Sequence, residues 1–177
     1  MSKVILLISI VVFFFFSSCN ELTGIKIIRL GHGLSTGHSV HKGMVHFGEK
    51  LEEFSNGRFK VQIYPSQQLG TERQCVELLQ IGSLDMTKVS ASILENFAPS
   101  IKVFGIPYMF RDKTHCFRVL DGPIGKELLN GTEQYWLKGL GYYDSGSRSF
   151  YTIDKTLVGP NDLNGLKIRV MESQTAI

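Results

Sequence analysis

Arg169 stands in the run Gly165-Leu166-Lys167-Ile168-Arg169-Val170, where Leu166, Ile168 and Val170 alternate with two cations. A period of two is that of a half-buried strand, and it sets Arg169 on the face opposite the three apolar residues. Gly165 closes the polar run Asn161-Asp162-Leu163-Asn164, so the strand would start from a turn. A guanidinium held on a strand is a rigid fork of donors that can grip a carboxylate through two parallel hydrogen bonds. The competing reading is a solvated arginine on an edge strand, and from these six residues alone that plainer reading is the stronger.

A second stretch with chemical potential is Gly31-His32-Gly33-Leu34-Ser35-Thr36-Gly37, rich in glycine and hydroxyls. Here the backbone at Gly33 or the hydroxyl of Ser35 could reach a ligand. His32 could hydrogen-bond a carboxylate, though a lone loop histidine usually does nothing so specific. His38 and His41, three apart at a helix start, could share a face, but no third donor follows at a metal-ligand spacing, so no metal is expected. Nucleophilic catalysis is poorly supported. There is no glycine-rich phosphate loop. His115 is the sequence neighbour of Cys116, and adjacent residues on a helix do not face one another. No cofactor is expected.

The elements that would position these residues read as α/β. Residues 25–30 form an apolar first strand that runs into the 31–37 loop. Val40, Met44, Phe47, Leu51 and Phe54 recur at steps of four and three, one helical face, which Ser55-Asn56-Gly57 stops. Phe59, Val61 and Ile63 alternate with polar residues up to Pro65, a second strand. Strand, helix, strand makes a parallel pair, and open α/β sheets bind ligands at the carboxyl ends of such strands. Thr71 and Gln74 form a capping box for the next helix, which Gly82 ends. Residues 83–92 suggest a short third strand leading to a polar loop, and residues 93–111 a buried connection. Two helices are expected over 112–120 and 123–139, broken at Asp121-Gly122-Pro123, and a long strand over Tyr142 to Ile153.

Composition narrows the function. With 43% hydrophobic residues in 177, a packed core is within reach, and a net charge of +3 without basic runs argues against nucleic acid as a partner. Lys3 followed by the apolar run Val4 to Phe16 is a targeting signal, too short to span a bilayer comfortably. It ends in Ser17-Ser18-Cys19, which resembles a bacterial lipobox with Cys19 as the lipidated residue; an ordinary cleaved signal and an uncleaved anchor are the alternatives. All three export the protein. Export permits a Cys75–Cys116 disulfide, and two buried free thiols fit the sequence at least as well.

Four segments carry a resemblance to a known family. They are Ser55-Asn56-Gly57-Arg58 through Tyr64-Pro65-Ser66-Gln67-Gln68-Leu69-Gly70; Glu77 through Met86; Gly146-Ser147-Arg148; and Asp162 through Val170. In this order and spacing, the chain resembles the solute-binding proteins of TRAP transporters (tripartite ATP-independent periplasmic transporters), of the dicarboxylate-binding, DctP-like type. The resemblance runs from about Ile25 to the last residue.

It implies a periplasmic-binding-protein-like α/β fold of two domains with an interdomain cleft, closing on an organic acid. The chain would divide into a signal at 1–19, a first domain at 20–145 and the start of a second domain at 146–177. Family members are considerably longer, so this chain is expected to be an N-terminal fragment with its second domain truncated. The resemblance gives Arg169 the ligand carboxylate and places Arg148 beside it. It puts Ser90 at a ligand-facing polar position, and Glu72 where an acidic group approaches the ligand in some members. The plainer readings are a hinge ion pair for Arg148, a strand-end hydroxyl for Ser90 and a helix N-terminal carboxylate for Glu72. The implied function is delivery of a carboxylate ligand to the membrane subunits of a TRAP transporter from the periplasm or cell envelope, tethered through lipidated Cys19. A ligand-sensing domain of an exported signalling protein is the runner-up, and an exported hydrolase comes after it.

Overall fold

Strand β1 (Lys26–Gly31) lies at the centre of a three-stranded parallel sheet of order β2-β1-β3. The computed structural model of the protein describes residues 24–144, 146 and 149–171. The expectations for Cys19 and Arg148, and the signal at 1–19, lie outside them. β2 (Phe59–Tyr64) pairs with β1 along its whole length, Lys26 opposite Phe59 through Gly31 opposite Tyr64. β3 (Met86–Thr87) pairs only with Leu30 and Gly31.

Helix α1 (Ser39–Phe54) crosses from β1 to β2. Its apolar face buries Val40 and Met44 against Leu30, with Leu34, Val61, Ile63 and Met86 packed around them. Each side chain so buried contributes about 1.5–3 kcal/mol. Gly48 lets the helix lie close on the sheet, since a Cβ there would stand 3.2 Å from the Cβ of Val61. Phe54 departs from the expected face: at the last turn the helix has run past the sheet, and its ring is exposed.

The expected capping box opens α2 (Glu72–Gln80). The Thr71 Oγ1 accepts from the Gln74 N–H at 3.3 Å, and the Gln74 Oε1 accepts from the Thr71 N–H at 2.8 Å. Cys75 and Val76 face inward, 1% and 0% exposed. A short α3 (Ala91–Leu94) and a 3-10 helix (Pro99–Gly105) follow, with Ala98 and Ile101 buried. Then come α4 (Lys113–Leu120) and α5 (Pro123–Asn130).

Several expectations are corrected. The second of the two late helices ends at Asn130, not near residue 139. Buried Thr132 bonds back to the Leu129 carbonyl at 2.7 Å and accepts the Gly139 N–H at 3.1 Å, which turns the chain. Within the 93–111 connection, Ile106 and Tyr108 are exposed, and Tyr108 takes a left-handed backbone conformation (φ 59°) that carries it outward. Among the described residues, no strand forms over 142–153 or over 166–170. Neither stretch has a neighbouring strand among the described residues to take its N–H and C=O groups, and alternation cannot replace that partner. A 3-10 turn (Pro160–Leu163) is the regular element of this last segment. Cys75 and Cys116 are free thiols, the first buried and the second half-buried.

Candidate functional site

The carboxyl ends of the three strands gather the 31–37 loop, the 65–71 loop and residues 88–90. Glu72, the first residue of α2, is placed there by the Thr71 cap; Ser90 and Lys88 follow directly from β3. The Lys88 ammonium donates to the Glu72 Oε1 at 2.9 Å and to the Ser90 Oγ at 3.3 Å. The Ser90 backbone N–H donates to the Glu72 Oε2 at 2.9 Å. Glu72 is 17% exposed and Lys88 10%. Burial works against ionising the Glu72 carboxyl. The Ser90 N–H, the Lys88 ammonium and the Ser90 hydroxyl outweigh it together and hold the carboxyl below its ordinary value.

Gly33 joins this group from the first loop. A Cβ on it would lie 3.6 Å from the Gln67 Cγ and 3.7 Å from the Glu72 Cγ. The two loops are stitched together: the Gln67 N–H donates to the His32 carbonyl at 3.1 Å, and the Ser66 N–H to the Leu34 carbonyl at 3.0 Å. Ser66 and Gln67 both sit in the left-handed region, φ 53° and 61°, which side chains seldom adopt without such support. The pair of Glu72 and Lys88 is charge-balanced and offers both donors and acceptors. One ammonium hydrogen, carboxylate lone pairs and one lone pair of the Ser90 hydroxyl remain for a ligand. That inventory suits hydroxyl groups; a free carboxylate needs a cation without a partner.

Three of the expected residues, Gly33, Glu72 and Ser90, are therefore brought together. Arg169 is not brought to them. It is exposed in the extended chain after the Pro160–Leu163 turn, and no hydrogen bond or ion pair joins it to another described residue. Arg73 turns away, pairing with Glu77 at 3.2 Å and stacking over Phe97. Ser35 is exposed at the loop rim. Sequence reasoning missed Lys88, whose signal was its parity: Met86, Lys88 and Ser90 fall on one side of an extended chain, and the charge lies between two inward residues. It also passed over His32, which is 1% exposed and not a solvated loop residue.

The family described as bacterial extracellular solute-binding protein, family 7, matches residues 30–177. The chain belongs to this family. The protein YiiZ of Salmonella typhimurium is 44% identical over 156 residues, covering 87% of this chain and 47% of its own length. Among solved structures, a TRAP periplasmic solute-binding protein from Anaerococcus prevotii with bound D-glucuronate superposes with a TM-score of 0.80 at 39% identity, covering 84% of this chain and 49% of the other. One from Bradyrhizobium, in complex with D-galacturonate, gives 0.79 at 38% identity, covering 84% and 50%. The chain thus spans about half the length of these relatives, and it shares the α/β architecture of the part it matches.

Proposed function

We propose that the protein captures an organic acid outside the cytoplasmic membrane and hands it to TRAP-type membrane subunits without transforming it. The observation that carries this reading is the charge-balanced Glu72–Lys88–Ser90 group at the carboxyl ends of parallel strands, in a chain similar to solved solute-binding proteins that hold glucuronate, galacturonate or succinate. In this reading residues 20–145 are the first domain and 146–177 begin the second. Arg169, with Arg148 beside it, takes the ligand carboxylate, while Glu72, Ser90, Lys88 and the Gly33 backbone face its hydroxyls. Closing the two domains brings the groups together, and a ligand touching both stabilises the closed state by its differential affinity. Cys19 serves as the lipid tether. Mass spectrometry of the membrane-extracted protein tests that point, and an unmodified N-terminus at or beyond Asn20 would exclude it.

Calorimetry on the full-length protein with D-glucuronate, D-galacturonate and succinate tests the binding function. Saturable binding with no product formed is the expected result; turnover of the acid would overturn it. Arg169→Ala leaves a desolvated carboxylate without its partner, which costs about 2–5 kcal/mol, so affinity should fall by roughly 30-fold to several thousand-fold. Arg169→Lys keeps the charge and loses the fork, and should recover only part of this. Binding by Arg169→Ala within about threefold of the parent would return Arg169 to the role of a solvated cation.

A further inference from the structure

His32 is the most buried polar group near the site, and every polar atom it has is engaged. Its backbone N–H donates to the Tyr64 carbonyl at 3.0 Å, and its carbonyl accepts from Gln67. Its Nδ1 accepts from the Leu34 backbone N–H at 3.1 Å, and its Nε2 lies 3.0 Å from the Nδ1 of His41 on α1, with the rings tilted by 51°. The Leu34 N–H can only donate, so the His32 Nδ1 carries no proton. The ring is then neutral with its hydrogen on Nε2, which donates to the His41 Nδ1, and His41 holds its own hydrogen on Nε2.

We propose that His32 is a positioning residue for ligand binding: in this one tautomer it ties the Gly33–Ser35 loop to α1 and, through Gln67, keeps the neighbouring loop against Glu72. Protonation reverses the Nδ1 from acceptor to donor and sets it against the Leu34 N–H, so the tie holds only while the ring is neutral. The groups facing it are His41 from α1 and His38 from the cap before it, Lys88 from the chain after β3 and Glu72 from α2. Burial first, then His41 and Lys88, oppose a charge on the ring; Glu72 favours one and is already committed to Lys88. The ring is therefore held neutral at ordinary pH and gives way in acid. The pair is joined by a hydrogen bond, and among the described residues no third metal-binding side chain stands beside it.

The consequence for affinity rests on the binding function proposed above, so the test separates the two. Long-range proton–nitrogen correlation spectra of the full-length protein at about pH 7.5 should show His32 neutral and protonated on Nε2. A charged ring, or a proton on Nδ1, overturns the proposal whatever the ligand. His32→Asn keeps an acceptor oxygen where Nδ1 stands but loses His41, whereas His32→Leu loses both. The Leu34 amide should stay protected from hydrogen exchange in His32→Asn and lose protection in His32→Leu. With D-galacturonate as probe, His32→Leu should bind about tenfold more weakly and His32→Asn should recover most of that loss. The parent should weaken about tenfold between about pH 7.5 and pH 5, and His32→Asn should stay nearly flat. Parallel pH profiles for parent and His32→Asn overturn the proposal, and this comparison stands even if His32→Leu fails to fold. Absence of binding to D-glucuronate, D-galacturonate and succinate alike defeats the functional reading alone, since the spectra and the exchange data still decide the tie.

Discussion

Between β1 and the 3-10 helix, Leu30, Met44, Val76 and Ala98 are 3%, 1%, 0% and 0% exposed; in the segment from residue 149 to 171, Tyr151, Ile153 and Val158 are 92%, 99% and 89% exposed. Both regions are rich in apolar side chains, and both contain a period-two run. Phe59, Val61 and Ile63 alternate as cleanly as Leu166, Ile168 and Val170, yet only the first run is a strand. The difference is the neighbour. β2 has β1 beside it for six residues and α1 over one face, so its backbone bonds are met and its apolar side has a cover. The 166–170 run has neither among the described residues. Alternation states which face a strand would bury; a ladder and a covering layer make it worthwhile.

The sharpest way to break this comparison is to hollow out the first region and not the second. Met44→Ala removes a side chain from the Leu30–Val40 cluster, and buried methionine truncations cost about 2–5 kcal/mol. Ile153→Ala removes a larger share of exposed apolar surface and should change stability by no more than about 0.5 kcal/mol. Denaturant unfolding of both variants measures the contrast. Equal losses would mean that the segment packs as tightly as the sheet.

Glu72 and Lys88 come next. Glu72→Gln leaves an ammonium 10% exposed without its counter-charge, at a cost of about 3 kcal/mol. Adding Lys88→Met should restore much of it, because the two losses are not additive. The acid dependence follows from the same bonds. Glu72 lies below its ordinary 4.5 in the folded protein, so its stabilisation is complete above 4.5 and is lost as the pH falls through the lower folded value. His32 is also depressed, from 6.5, and contributes an earlier loss that begins as the pH drops below 6.5. Urea midpoints across acid pH should therefore fall in two stages, and Glu72→Gln should weaken only the second, to which the depressed carboxyls of Asp85, Asp144 and Asp162 also contribute.

This same contrast explains what the sequence could convey. The β1–α1–β2–α2–β3 order was legible because each element carries a local signal: the period of α1, the Thr71–Gln74 box, and the stops at Gly57 and Gly82. Glu72, Ser90 and Gly33 were legible as candidates, but their meeting was not. It depends on three strand ends converging across as many as 57 residues of chain. Lys88 is 16 residues from Glu72, and His32 nine from His41, and neither separation corresponds to a helix or strand period. Reading His32 as an open loop residue was reasonable from glycine on both sides; what holds it in is its backbone bonding to Tyr64 and Gln67 and its ring's contact with His41. The strands expected at 142–153 and 166–170 failed for the reason given above, since a partner strand leaves no mark in the residues it would pair with.

Two helix caps sharpen the comparison further. Thr71 is exposed, but the helix it starts carries Cys75 and Val76 into the core, so the cap is coupled to the main unfolding transition. Thr71→Ala should cost about 1 kcal/mol globally, within the usual range of about 0.5–2 for such caps. A midpoint unchanged within error would show that the first turn of α2 frays independently of the sheet, and Glu72 would then be held by Lys88 and the Ser90 N–H without help from the cap.

The smallest effect is expected at a capping carboxylate in the open segment, three residues after the cap position of its turn. The Asp162 Oδ2 accepts from the Val158 N–H at 2.9 Å and from the Gly159 N–H at 3.0 Å, and these bonds hold the carboxyl below its ordinary range while they fold the chain into the Pro160–Leu163 turn. Chemically this is as good a cap as Thr71, with an ionised acceptor and two donors. It differs in what the turn carries: Val158 is 89% exposed, and among the described residues no buried side chain follows from the turn. A local bond in such a place opens and closes without the core taking part. Asp162→Ala should therefore speed hydrogen exchange at Val158 and Gly159 while leaving the global unfolding midpoint where it was. A shift in that midpoint comparable to the one from Thr71→Ala would place the segment inside the cooperative unit, and the division drawn between the two regions would have to be given up.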